Sequence, residues 1–368
     1  MITHTQRERL IRFCNALMDQ KAARILIHAR QAQPGFWFGG GNLAEAANGD
    51  FYLVGRYRTE GDSRTGLGMG ERGLELVIFH STDRGRYFEK ILTFSKAALG
   101  LPRKAVLSIE GSALHWTDDG VELFVSSEKK LPYPPKLEVY QKPNTGVWTI
   151  ERLAAPTVEA LASAQPQTIL ECDDPRYLHV KDPFVLDQPN GDTVLGFVTH
   201  PFSWASSNSA YARRPAGTQE FQPPVYNFFP RGFVWDVAIC RATGWLRVPR
   251  LGVFAEGPDA TLLFYDGGES MRDLDEHSAA AKRPRGYSCE ELGGVAVTAS
   301  DGVSQIERLS VISPFFVSPT GTGTSRYARV LETAEGFYAI WQQSQADLSQ
   351  PLVMNFLSRE RAAQLLGE

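Results

Sequence analysis

Lys181-Asp182-Pro183-Phe184-Val185 leads into the turn Asn190-Gly191, and a second apolar run, residues 193–198, follows it. Two short apolar runs joined by an Asn-Gly turn read as a β-hairpin. Working outward from this hairpin, the same unit recurs. Gly49, Gly120 and Gly191 are each 71 residues apart, in the turns Asn48-Gly49, Asp119-Gly120 and Asn190-Gly191. Glu335-Gly336 marks a later turn of the same kind. Phe51-Tyr52-Leu53-Val54, Glu122-Leu123-Phe124-Val125 and residues 74–79, 261–265 and 337–341 supply further short strands. No long helical period interrupts them, which argues against architectures that alternate helices with strands.

A second series of motifs agrees with the first. Counting from Gly40, Glu110, Asp182, Glu256 and Arg326, each near the start of a strand, the steps are 70, 72, 74 and 70 residues. Five such units nearly fill 368 residues. The repeat is longer than the ~40–50 residues of a common propeller blade, yet it fits four strands with long loops. The expectation is an all-β chain: a five-bladed β-propeller with short N- and C-terminal helices. Leu10, Phe13, Cys14, Leu17 and Met18 recur at helical spacing before the stop Pro34-Gly35. Near the other end Ser358 can cap a helix whose apolar side is Ala362, Leu365 and Leu366. The reading is therefore one domain over residues 1–368. It has an N-terminal helical segment at 1–34, blades over 36–356 and a C-terminal helix at 358–368.

Composition narrows the function. Apolar residues make up 43% of the chain and aromatics 11%, enough for a packed core and for sugar-stacking surfaces. The net charge of −4 argues against a broad nucleic-acid footprint. No apolar run approaches the ~20 residues that a membrane span needs. The N-terminal residues MITHTQRERLIRF carry charges where a signal peptide needs an apolar stretch. Cys14, Cys172, Cys240 and Cys289 match no metal or redox spacing, so free thiols in a cytoplasmic protein are expected. The oligomeric state is not legible.

In a propeller the innermost strand of each blade lines the axis. Asn42, Glu110, Asp182, Glu256 and Arg326 are therefore expected to ring one end of it. Clustered carboxylates repel and raise one another's pKa, so such a ring needs a functional reason. Paired carboxylates in a sugar-sized pocket suit glycosidic bond cleavage, one as a protonated acid and the other as nucleophile or base. No cofactor is called for, although a ring of carboxylates could hold a divalent ion at the axis.

The motifs carry a resemblance. Lys181-Asp182-Pro183 resembles the Arg-Asp-Pro motif of five-bladed propeller glycosidases acting on fructosides, and the Asp-Pro strand of arabinanases and xylosidases. There the Asp stabilises the transition state or tunes the acid, which implies that role, or that of nucleophile, for Asp182. Glu256-Gly257-Pro258 resembles the motif carrying the general acid in the arabinanase group. Cys289-Glu290-Glu291, followed by a strand and Asp301-Gly302, resembles the acid blade equally well. Glu256 and Glu290 thus both stand as acid candidates, with Glu291 beside the substrate. Gly111-Ser112-Ala113 before Asp119-Gly120 is similar to the second blade of fructosidases. Ser81-Thr82-Asp83-Arg84-Gly85-Arg86-Tyr87-Phe88 resembles the Asp-box of sialidase-type propellers, a turn motif remote from catalysis. The families place an Asp on the first blade, where this chain has Asn42. Glu110, Asp62 or Asp236 could take that role.

Substrate contacts are expected from Asn42, Trp37, Arg58, Asp62, Arg64, His179, Asp236, Glu291 and Arg326. The arginines of the first blade can fork onto an anionic or polyhydroxyl ligand, and Trp37 among its glycines suits a sugar platform. The leading expectation is a glycosidase acting on a terminal, furanosidic sugar. The alternatives are a carbohydrate-binding propeller without chemistry, and a sialidase-like or phosphorolytic enzyme.

Overall fold

The computed structural model describes residues 2–58, 73–202, 206–269 and 291–367. Its strands form five antiparallel sheets arranged as the five blades of a propeller. The first blade runs outward from β2 (Trp37–Gly39) and β3 (Leu43–Glu45) through β4 (Phe51–Arg58), β5 (Glu75–Ser81) and β6 (Glu89–Ser95). The second comprises β7 (Val106–Thr117), β8 (Gly120–Lys129), β9 (Val147–Ala155) and β10 (Gln167–Leu170). The third comprises β11 (His179–Asp187), β12 (Thr193–His200), β13 (Asn208–Arg214) and β14 (Val225–Phe229). The fourth comprises β15 (Ile239–Arg247), β16 (Ala260–Gly268), β17 (Leu292–Ala299) and β18 (Glu307–Arg308). The fifth has β19 (Ser325–Glu332), β20 (Gly336–Gln343) and β21 (Leu352–Ser358), and its outer strand is β1 (Arg24–Ile27).

That last pairing corrects one boundary. Residues 24–27, assigned above to a helical segment, pair antiparallel with β21 and complete the last blade. Joining the two ends of the chain in one sheet covers a strand edge that would otherwise be exposed. Contacts pass around the axis from β3 to β7, β11, β15, β19 and back to β3, so the ring is closed.

Helix α1 (His4–Leu17) starts with a capping box in which Thr3 and Gln6 satisfy each other's backbone N–H groups. Its apolar face buries Leu10, Phe13, Cys14 and Leu17 against Trp341, Val353 and Leu357 of the fifth blade and Leu246 and Leu262 of the fourth. Helix α2 (Arg359–Gly367) adds Ala362 and Leu366 to this core, and the Ser358 hydroxyl caps it through Arg361 N–H. Each buried leucine or phenylalanine contributes about 2 kcal/mol. Neither helix is long and apolar enough to cross a membrane.

The blades pack through separate apolar clusters, such as Leu76, Ile78, Leu123 and Val125 between the first and second. In the Ser81–Phe88 turn Asp83 Oδ1 accepts from Arg86 and Tyr87 N–H, and Ser81 Oγ accepts from Gly85 N–H.

The feature that positions the site is a break in each inner ladder. Pairing skips from Gly39 to Leu43, Ile109 to Ser112, Lys181 to Phe184, Ala242 to Gly244 and Arg326 to Arg329. The first residues to drop out are Gly40, Glu110, Asp182, Thr243 and Tyr327, at steps of 70, 72, 61 and 84. The even spacing thus holds for three blades and fails at the fourth. Glu256 lies exposed in the connection 248–259, which leaves β15 at the opposite end of the axis from Asp182. Arg326 is one residue ahead of the break.

Candidate active site

At the end of the axis where the inner strands begin, the ladder breaks re-aim side chains toward the centre. Asp182 has φ 55° and Tyr327 φ 55°, left-handed values that cost about 1 kcal/mol or more in a non-glycine residue. Neighbouring blades hold them there. Ser126 Oγ accepts from Asp182 N–H at 3.0 Å and donates to Gly111 carbonyl oxygen at 3.0 Å. Ser209 Oγ repeats the device one blade on, accepting from Ala242 N–H at 2.7 Å and donating to Cys240 carbonyl oxygen at 2.8 Å. Both hydroxyls are fully buried.

Among the described residues four carboxyl groups converge there, Glu110, Asp182, Asp266 and Glu291, all buried. Asp182 Oδ1 accepts from Gly111 N–H at 3.0 Å, and its Oδ2 lies 3.4 Å from the Tyr327 hydroxyl and 3.6 Å from Lys181 Nζ. Glu110 accepts from Ser108 Oγ at 2.7 Å and faces Arg56 Nη2 at 3.2 Å and Arg58 Nη1 at 3.8 Å. Glu291 binds Arg241 through one oxygen and Arg326 through the other. Asp266 accepts from Tyr327 N–H at 3.0 and 3.3 Å.

The expected upward drift of every carboxylate does not occur, because cations alternate with the acids. Burial pushes Glu110 up, but Arg56, Lys181, Arg58 and the Ser108 hydrogen bond together outweigh it and hold the group well below the usual carboxylate range. Burial opposes ionisation of Glu291 too, yet Arg241 and Arg326 bring it down to about 2. Asp266 goes the other way. Burial and the neighbouring Glu291 charge raise it far above 3.8, and Arg241, Arg326 and the Tyr327 N–H only partly offset them. The cluster's carboxyls are therefore pushed in opposite directions: Asp266 toward its neutral form, Glu110 and Glu291 toward their ionised forms. Lys181 is lowered by burial and by Arg241, with Asp182, Glu110 and Glu291 pulling the other way. Burial pulls Arg329 down to about 10; its Nη2 donates to Pro183 carbonyl oxygen at 2.8 Å.

Of the residues expected from sequence, Glu110, Asp182, Glu291, Arg58 and Arg326 come together here. Glu256 does not. Asp62, Arg64 and Glu290 lie outside the described residues. Asn42 is turned to another use: its amide accepts from Leu114 N–H at 2.8 Å and donates to Leu114 carbonyl oxygen at 2.9 Å, clamping the first blade to the second. The Trp37 ring is not a bare platform, because the guanidiniums of Arg326 and Arg58 lie over it at 4.2 and 5.0 Å. His179 is fully buried, 3.3 Å from the Tyr133 hydroxyl, and burial and Lys181 push it down to about 3. Asp236 is buried in an ion pair with Arg308 at 2.7 Å.

Sequence reading missed Arg241, Asp266 and Tyr327 as site residues, and left Lys181 and Arg56 without an individual role. A signal existed. Arg241 and Asp266 each interrupt or end an apolar strand, in Ile239-Cys240-Arg241-Ala242 and Leu263-Phe264-Tyr265-Asp266. A charge in such a run is paired or functional. Among the described residues no three His, Cys, Asp or Glu side chains are grouped so as to hold a metal ion.

At the other end of the axis a cavity of about 250 Å³ is lined by Asn42, His115, Asp187, Trp245 and Arg329, among others. It is remote from the break that carries Asp182, except through Arg329.

No family model matches the sequence, and no curated protein does. Solved structures do match in fold. A thermostable family-43 glycoside hydrolase aligns with TM-score 0.53 and 10% identity, over 89% of this chain and 91% of its own. The GH43_1 enzyme from Xanthomonas citri, complexed with xylotriose, aligns with TM-score 0.54 and 10% identity, over 95% and 93%. The catalytic domain of the Coprinopsis cinerea GH62 alpha-L-arabinofuranosidase aligns with TM-score 0.53 and 12% identity, over 91% and 96%. At these identities the shared property is the five-bladed architecture.

Proposed function

We propose that this chain is a glycoside hydrolase-like enzyme that cleaves a terminal sugar at the entry end of the propeller axis. The observation that carries the reading is the convergence of the buried carboxyls of Glu110, Asp182, Asp266 and Glu291 at one end of the axis, where cations hold Glu110 and Glu291 low and burial raises Asp266. Glycoside cleavage needs such a pair, one group giving a proton to the leaving oxygen and another meeting the developing cationic centre. Asp182, held by Gly111 N–H and the Tyr327 hydroxyl, is the carboxylate assigned to the reacting carbon. Glu110 is its partner, and Asp266, pushed toward its neutral form by burial and by Glu291, is the described group assigned as the acid. Glu290, which lies outside the described residues, is the other acid candidate. The matched folds include enzymes named as glycoside hydrolases, one of them in complex with xylotriose, which supports a carbohydrate substrate. A furanosidic sugar is the finer reading.

The test is a panel of aryl pentosides and hexosides with wild type and Asp182→Asn. Turnover is expected to fall by about 10³-fold with the melting temperature retained. Equal turnover of every cleaved glycoside by both proteins would sink the assignment. One observation favours a second reading, a carbohydrate-binding propeller without chemistry: the first-blade break holds Gly40, not a carboxylate. Binding of glycans by calorimetry, with no turnover across the panel, would select it.

A further inference from the structure

The five ladder breaks are not chemically alike. The second and third blades present Glu110 and Asp182 at the first unpaired position, whereas the first blade presents Gly40. The three glycines there differ in the space around them. A Cβ on Gly41 would lie 1.9 Å from Val54 carbonyl oxygen, and one on Gly39 would lie 2.9 Å from Gln342 Oε1. Gly40 is different. A Cβ there would have its nearest neighbours, Arg56 Nε and Gly111 Cα, both at 3.6 Å, and Arg56 Cζ at 3.7 Å. A Cβ at Gly40 meets its neighbours in ordinary van der Waals contact, and a guanidinium borders it.

Arg56 is 2% exposed, and Nη2 faces Glu110. Its Nε and Nη1 have no hydrogen-bond partner among the described residues. A buried guanidinium N–H without an acceptor is costly, and the acceptors that offset this best are charged oxygens. Glu110 cannot supply them all, because the same carboxylate also faces Arg58.

We propose that Arg56 and the Gly39–Gly41 turn form an oxyanion subsite, filled by a ligand's carboxylate or phosphate group where blades two and three place their own carboxylates. The ligand as a sugar rests on the function proposed above; the oxyanion does not. On that reading the substrate is an acidic sugar such as a uronic acid, or a neutral sugar accompanied by free phosphate.

Isothermal calorimetry on the full chain with glucuronate, glucose and inorganic phosphate separates these sources. Glucuronate is expected to bind about ten- to hundredfold more tightly than glucose if the sugar brings the anion. Phosphate alone shows that advantage if the anion is free. In either case Arg56→Gln removes the advantage by deleting the cation. Gly40→Asp removes it by filling the space, aspartate being among the residues that tolerate φ +73° best. This second variant keeps the test decisive if Arg56→Gln does not fold. Neither anion outbinding glucose, or an advantage that survives in a folded variant, would overturn the subsite. Anion binding that obeys this pattern without turnover of any glycoside would leave the subsite standing and remove the hydrolase reading. Turnover of neutral glycosides without anion binding would do the reverse.

Discussion

Two buried ionic clusters flank the same inner strands, one at each end of the axis, and they are built on opposite principles. At the exit end Glu122 is surrounded by close cationic partners, although Arg152 Nε makes an ion pair without hydrogen-bond geometry. Arg214 reaches its oxygens at 2.7 and 2.8 Å, Arg152 Nε lies at 2.6 Å and His115 Nδ1 at 3.1 Å. The other His115 nitrogen lies 3.0 Å from Asp187, so the second and third blades are clamped together. At the entry end the groups are as deeply buried but less completely matched. Arg56 has unmet donors, burial and Glu291 push Asp266 toward its neutral form and Asp182 is held at a positive φ. A network of close ion pairs stabilises a fold. One that holds unmet donors, a carboxyl pushed toward its neutral form and backbone strain is prepared for a ligand.

The contrast can be broken most forcefully by substitution. Glu122→Gln is expected to destabilise the protein by about 3–5 kcal/mol, because Arg152, Arg214 and His115 lose a shared anion. Chemical denaturation measures this, and carbohydrate binding by the folded protein should not change. A loss below about 1 kcal/mol would erase the distinction between the clusters.

Acid acts on the same group. Burial opposes its charge, but His115, Arg214 and Arg152 hold Glu122 at about 2, down from 4.5. Its contribution is complete above pH 4.5 and is lost as the pH falls through about 2. The difference in melting temperature between wild type and Glu122→Gln should therefore narrow across that window. His115 has the opposite sign. Burial lowers it, but Asp187 and Glu122 raise it above 6.5 overall, so its contribution is complete below pH 6.5 and fades as the pH rises through the shifted value.

Ser126→Ala removes the acceptor for Asp182 N–H and the donor to Gly111. About 1–2 kcal/mol of stability should be lost, with turnover falling more steeply than stability because Asp182 loses its backbone support. The smallest effect belongs to Asp266→Asn. Burial and Glu291 push that carboxyl toward its neutral form, which the near-isosteric amide mimics, so the change should cost less than about 1 kcal/mol while altering the alkaline limb of any pH–rate profile. A larger loss of stability would show that Asp266 is ionised in the folded protein.

Much of the fold is legible in the turn glycines. Gly49, Gly120 and Gly191 each end a tight hairpin between the first two strands of a blade, where geometry demands a positive φ. Residues of that kind recur wherever the unit recurs. The fourth blade is illegible by the same rule because its first turn is the long connection 248–259, with Pro249 and Pro258. Loops absorb insertions at little free-energy cost, so equal spacing lands on Glu256 in a loop and not on the strand that carries Arg241. Asn42 and Trp37 are legible as residues near the axis, but not in their roles. A single-residue register difference decides whether a side chain faces a pocket or a neighbouring strand.

The amino-acid sequence by itself determined the all-β class, the repeating hairpin, the two terminal helices and the place of Glu110 and Asp182 at one end of the axis. These follow from local chemistry: apolar alternation, turn glycines and helix caps. Only the tertiary structure decided which strand closes the fifth blade, that Arg241, Asp266 and Tyr327 belong to the site, and which carboxyl is pushed toward its neutral form. Those outcomes depend on burial and on charges brought together from blades distant in the chain. A pKa or a pairing set by such neighbours leaves no local trace in the residues that carry it.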